Sequence, residues 1–209
     1  MQDISLIISV ALIHLLALMS PGPDFLMTVR NSLTYSRRTG IFTAIGLSIG
    51  ISVHILYCIA GLALIISKSI IAFNAIKLFG AAYLIYIGIK SVIAKKSTIN
   101  IKEEKKRDDI TRLKAIKIGF LTNVLNPKAT IFFLSLFTFV IKPETPTVTL
   151  SIISVLMITL TALWFSLVAI FFTQKHILKI FNKFEGVFNK TFGGLLILLG
   201  IKIAISENY

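Results

Sequence analysis

The chain has 209 residues, 56% of them hydrophobic, and a formal net charge of +13; its mean hydropathy is +0.88. Soluble domains are about 45–50% apolar even with glycine included, so this composition excludes a soluble globular domain. The apolar runs are long and do not alternate with polar residues, which excludes a membrane β-barrel. Most basic residues lie between those runs, so the charge reads as membrane topology and not as nucleic-acid binding.

A helix needs about 20 apolar residues to cross a bilayer. Six such spans are read, over 4–29, 41–67, 69–93, 116–141, 147–173 and 188–206. The expected class is therefore an all-α, multi-pass membrane protein. No Lys or Arg precedes the first span, and ALMSPGP is a poor small-x-small cleavage site, so span one is expected to stay in the protein. Span one is interrupted by Pro21-Gly22-Pro23, with Asp24 next, and apolar sequence then resumes. Span two carries His54 and a Gly46/Gly50 step, which suits close helix packing. Cys58 is the single cysteine, so an intrachain disulfide is excluded. Span three carries Lys77, expected to snorkel toward the outer surface. A mixed-charge linker, AKKSTINIKEEKKRDDITRLK, follows over 94–114. Span four, which includes GFLTNVLNPKATIFFLSLF, is broken by Asn126-Pro127.

The loops alternate in charge. Arg30, Arg37 and Arg38, eight basic residues in the linker, and Lys175, Lys179, Lys183 and Lys190 fall on one side, against Lys68, Lys142 and Lys202 on the other. The basic side is cytoplasmic, so both termini are expected outside. Residues 1–93 and 115–209 then form two three-helix halves of opposite sense around the linker. Spans one and four, each broken near its middle, occupy matching positions. Such paired interruptions point to the binding site of a transporter built as a 3+3 inverted repeat.

Proline removes a backbone donor and breaks the helix, and a restarted helix exposes unpaired N–H groups at its positive end. Gly22 suits the cap of the first restart, with Pro23 and Asp24 as its first two residues. Asn126 suits the cap of the second, with Pro127 first. Lys128 opposes the dipole there and costs roughly 2.5–3.5 kcal/mol at mid-bilayer on insertion scales. A residue that breaks two local rules points to function. The candidate substrate site is Gly22, Pro23, Asp24, Asn123, Asn126, Pro127 and Lys128. Pro21, Pro23 and Pro127 are the structural breaks, and Asp24 and His14 are the proton-coupling candidates. For Asp24 and Lys128 the structural alternatives are a capping acid and an ion pair between the two; for His14 and His54 it is a hydrogen bond between helices.

MSPGPDFL, TGIFTAIGLSIG, KLFGAAYLIYIGIK, GFLTNVLNPKATIFF and GGLLILLG occur in this order along nearly the whole chain. Together they resemble the lysine-exporter (LysE/RhtB) family of bacterial amino-acid efflux proteins. The resemblance implies a small inner-membrane protein that exports amino acids or related metabolites on the proton motive force. It carries over onto Pro21, Gly22, Pro23, Asp24, Asn126, Pro127 and Lys128.

The functional expectation is a proton-coupled secondary exporter with alternating access at a mid-membrane site, its partners an amino acid, protons and the lipid bilayer. No cofactor, metal, nucleic acid or enzymatic activity is expected, and a homo-oligomer stays open. The rival readings are a non-transporting helical scaffold and, more weakly, a channel.

Overall fold

The computed structural model describes residues 2–94, 107–140 and 145–206. Among them the chain forms eight helices and no strand: α1 (Gln2–Met19), α2 (Pro23–Thr34), α3 (Arg37–Lys68), α4 (Ile70–Ile93), α5 (Arg112–Val124), α6 (Pro127–Val140), α7 (Thr147–Phe171) and α8 (Lys175–Ile205). Four helices are long and apolar enough to cross a membrane by themselves: α4, α7, and the segments Arg37–Leu62 of α3 and Lys183–Ile205 of α8. The other two crossings are bent pairs, α1 with α2 at 56° and α5 with α6 at 60°. The protein is thus an all-helical membrane protein of six spans, the first and fourth broken at the Pro-Gly-Pro and Asn-Pro sequences. Residues 95–106 of the charged linker, and Lys142, lie outside the described residues.

Local chemistry sets the helix starts. Ser36, Ser69 and Thr111 each accept a backbone N–H in the first turn of α3, α4 and α5, at 3.2, 3.2 and 3.3 Å, the usual satisfaction of an orphan donor. Asp109, at the end of the linker, accepts from Ser36 Oγ at 2.8 Å and Thr39 Oγ1 at 3.0 Å. Arg107 N–H donates to the Thr34 carbonyl at 2.9 Å. The linker's end is thereby tied to the α2–α3 corner.

Glycine brings the spans together. A side chain at Gly46 would strike the Ile116 backbone, and one at Gly119 the Thr43 backbone, so α3 and α5 meet main chain to main chain. Gly88 and Gly193 do the same for α4 and α8. Between helices in lipid, small residues allow this close van der Waals approach. α3 packs on α5 and α7, and α4 on α8 and α6. Apolar side chains such as Leu56, Ile71, Phe79 and Val155 stay exposed on the outer faces, where a bilayer covers them.

Two expectations change. The sixth span was read from residue 188, but α8 starts at Lys175. Its lysines read as a loop, yet Phe181, Glu185 and Asn189 recur every four residues and are buried, so one face of the extension packs inward. Lys77 reaches toward the end of α8, the side expected outside, but its head stays buried. It is 3% exposed, and its Nζ donates to the Ser206 carbonyl at 2.9 Å. Because α4 lies so close to α8, the unsatisfied carbonyls at the end of α8 are nearer than water, and a cation suits that negative end.

Candidate functional site

The two breaks meet. Gly22 caps α2 with extended backbone and Pro23 opens the helix, which places Asp24 in its first turn. In the second break, Asn126 Oδ1 accepts the Lys128 backbone N–H at 3.0 Å, while the Asn126 carbonyl accepts from Thr130 N–H at 3.0 Å. Asn126 therefore caps α6, with Pro127 as its first residue.

The two asparagines of span four hold the aspartate of span one. Asn123 Nδ2 donates to Asp24 Oδ2 at 2.8 Å, and Asn126 Nδ2 donates to Asp24 Oδ1 at 3.0 Å. One neutral donor per carboxylate oxygen stabilises the charge without cancelling it. Lys128 has its own partners: Nζ donates to Ser20 Oγ at 2.8 Å and to the Pro21 carbonyl at 3.4 Å. That carbonyl is free because the break ends α1. The Ala17 carbonyl, in the last turn of α1, is taken by Ser20 N–H at 3.3 Å. Asp24 and Lys128 thus face one site as two separately supported charges and not as an ion pair.

The starts of the half-helices differ. At α6 the Asn126 side chain occupies the first available donor. At α2 no side chain caps the first turn, and Lys128 Nζ lies 3.3 Å from where a Cβ on Gly22 would stand. A side chain at Gly22 would make the Lys128 ammonium give by a few tenths of an ångström.

His14, Ser20, Gly22, Asp24, Asn123, Asn126 and Lys128 all line one cavity of about 60 Å³. A single water needs roughly 10–15 Å³ on such a measure, so the space suits a small molecule. The remaining wall is apolar and aromatic, with Ile51, Tyr83, Phe132, Phe133 and Phe165. The cavity lies where two apolar cores adjoin, one containing Ile51, Phe132 and Phe133 and the other Leu18, Phe25 and Phe165. Pro23 and Pro127 are exposed and do not line it; they shape the breaks. His54 lies outside the lining. Its Nε2 donates to the Asn123 carbonyl at 3.1 Å and its Nδ1 meets Tyr57 Oη at 2.7 Å, so it joins α3 to α5 and steadies Asn123. Among the described residues no group of three or more His, Cys, Asp or Glu side chains is placed to hold a metal ion.

Sequence reasoning missed Ser20 and Phe132. Both had a signal: Ser20 directly precedes the break, and Phe132 follows Lys128 by four residues, on the same helix face. Tyr83, on α4, also lines the cavity, and α4 packs against α6.

The chain has relatives among known membrane proteins. The chain is 34% identical to the uncharacterized membrane protein YrhP of Bacillus subtilis over 194 residues, 89% of this chain and 92% of the relative. It is 29% identical to the threonine efflux protein of Escherichia coli K12 over 204 residues, 97% of this chain and 98% of the relative. It is 28% identical to the homoserine/homoserine lactone efflux protein of Salmonella typhimurium over 198 residues, 91% of each chain. No solved structure matches it. The family profile of the LysE type translocators matches residues 15–207, and the chain belongs to that family.

Proposed function

We propose that this protein is a secondary-active exporter of amino acids or closely related small metabolites, driven by the proton motive force across the bacterial inner membrane. Family membership and the efflux relatives named for threonine and homoserine support the substrate class. The observation that carries the reading is the shared cavity of Asp24 and Lys128, each held by neutral partners and not by the other. A zwitterion fits that arrangement. Its carboxylate goes to Lys128 Nζ and the uncapped start of α2, since helix N-termini favour anions. Its ammonium goes to Asp24.

Proton coupling follows from the same carboxylate. A proton on Asp24 removes the charge that holds the ammonium, so proton binding and substrate binding exclude each other and proton entry drives substrate release. Alternating access is the rocking of residues 1–93 against 115–209 around the site, with both termini outside and the basic loops in the cytoplasm.

The test uses inside-out membrane vesicles and labelled L-threonine. An acid interior should drive saturable uptake into the vesicles, and collapsing the pH gradient should abolish it. Uptake that neither saturates nor responds to the gradient overturns the proposal.

A further inference from the structure

The cavity has a second polar feature that the zwitterion does not use. His14 is 1% exposed and lines the cavity through α1. Its Nε2 lies 2.9 Å from Thr161 Oγ1 on α7. The Thr161 hydroxyl donates its one hydrogen to the Met157 carbonyl at 2.9 Å, so towards His14 it can only accept. Nε2 therefore carries the imidazole proton, and Nδ1 is left as an acceptor lone pair. That Nδ1 is buried and has no hydrogen-bond partner. Buried polar atoms are nearly always paired, and an exception calls for an explanation.

The surroundings of His14 select the kind of donor. Phe132 and Phe133 pack on its ring, with centroids 6.1 and 5.8 Å away. The charged groups cluster instead at the break. His14 precedes Ser20 by six residues, about 9 Å along a helix at 1.5 Å per residue. A cation in the aromatic end would lose its hydration, whereas a hydroxyl needs one acceptor and tolerates apolar neighbours.

We propose that His14 Nδ1 is the specificity determinant for a hydroxyl on the substrate side chain, so that the site prefers short hydroxylated amino acids to their apolar isosteres. This rests on the amino-acid export reading above and adds the side-chain class. Thr161 acts as a positioning residue by fixing the imidazole tautomer.

The test measures competing uptake of L-threonine against L-valine, and of L-homoserine against L-norvaline, in the same inside-out vesicles. The wild-type protein should favour the hydroxylated member of at least one pair by tenfold or more. His14→Leu should bring that ratio to within about twofold of unity. His14→Gln, which keeps an acceptor, should restore part of it, and Thr161→Val should lower it. Because each ratio is taken within one preparation, changes in protein level cancel. A wild-type protein without preference, or a His14→Leu variant with an unchanged ratio, overturns the inference and leaves the export reading standing. A His14 that serves only as a proton carrier would slow both members equally and leave the ratio unchanged. If the wild-type protein moves none of the four amino acids, the export reading itself fails.

Discussion

Asn126 joins Asp24 to the helix that carries Lys128: its Nδ2 donates to Asp24 Oδ1 at 3.0 Å, and its Oδ1 accepts the Lys128 backbone N–H at 3.0 Å. Each end of one amide is thus committed to a different break. The orientation of that amide ties the acid of span one to the base of span four, although the two charges do not touch.

Asp24→Asn tests the acid. Asp24 accepts from two amides at once, whereas an asparagine there has a single acceptor oxygen. One of Asn123 and Asn126 would face another donor, and a buried unsatisfied donor costs about 1–3 kcal/mol. The variant should reach the membrane, unfold at lower temperature in detergent and lose its response to the pH gradient. Vesicle uptake that still follows the gradient at the wild-type rate would reduce Asp24 to a helix-capping acid.

Lys128→Gln tests the base. Glutamine can still donate to Ser20 but brings no charge, and hydrogen bonds to charged groups contribute roughly 1.5–3 kcal/mol. Apparent affinity for L-threonine should fall tenfold or more, with membrane levels little changed. The double variant Asp24→Asn/Lys128→Gln should stay inactive, because the residues are supported separately and neither is released by loss of the other. Export by the double variant near the wild-type rate, normalised to membrane protein, would sink the site assignment for both.

Topology is open to cysteine labelling in a Cys58→Ala background. Asp108 and Thr147 are both exposed and are assigned to opposite faces by the basic loops. An impermeant thiol reagent added to intact cells should label Thr147→Cys and spare Asp108→Cys until the membrane is opened. The reverse pattern means that both termini are inside.

Two glycines separate packing from helix propensity. A Cβ at Gly46 meets the Ile116 backbone, while one at Gly61 meets nothing within 4 Å. Gly46→Ala should push α3 off α5 and cost about 1–3 kcal/mol, the usual range for overpacking. Gly61→Ala should unfold at the wild-type temperature or slightly above, since alanine is the better helix former. Equal melting of the two variants in detergent would show that α3 and α5 are not in main-chain contact.

The sequence alone determined the membrane class, the number of spans and the location of both breaks. These follow from hydropathy over about 20 residues and from the covalent chemistry of Pro21, Pro23 and Pro127, which act within one turn of where they stand. The LysE-type motifs were equally legible. Tertiary structure decided how the charges are held, because each bond to the Asp24 carboxylate and the Lys128 ammonium joins residues far apart in the chain. Asp24 meets Asn123 and Asn126 across separations of 99 and 102 residues, and Lys128 meets Ser20 across 108. The periodicity of span four puts Asn123 on a face; it cannot say that this face turns to Asp24. Hydropathy ended the sixth span at its lysines, but contact with the bundle keeps one face of α8 helical and buried back to Phe181. His14 is the sharpest case. A lone histidine in an apolar run looks like a bond between helices, and one of its nitrogens makes that bond to Thr161. Only the packing of α1 against α7 and α6 shows that Nε2 is given to Thr161 while Nδ1 stays buried without a partner.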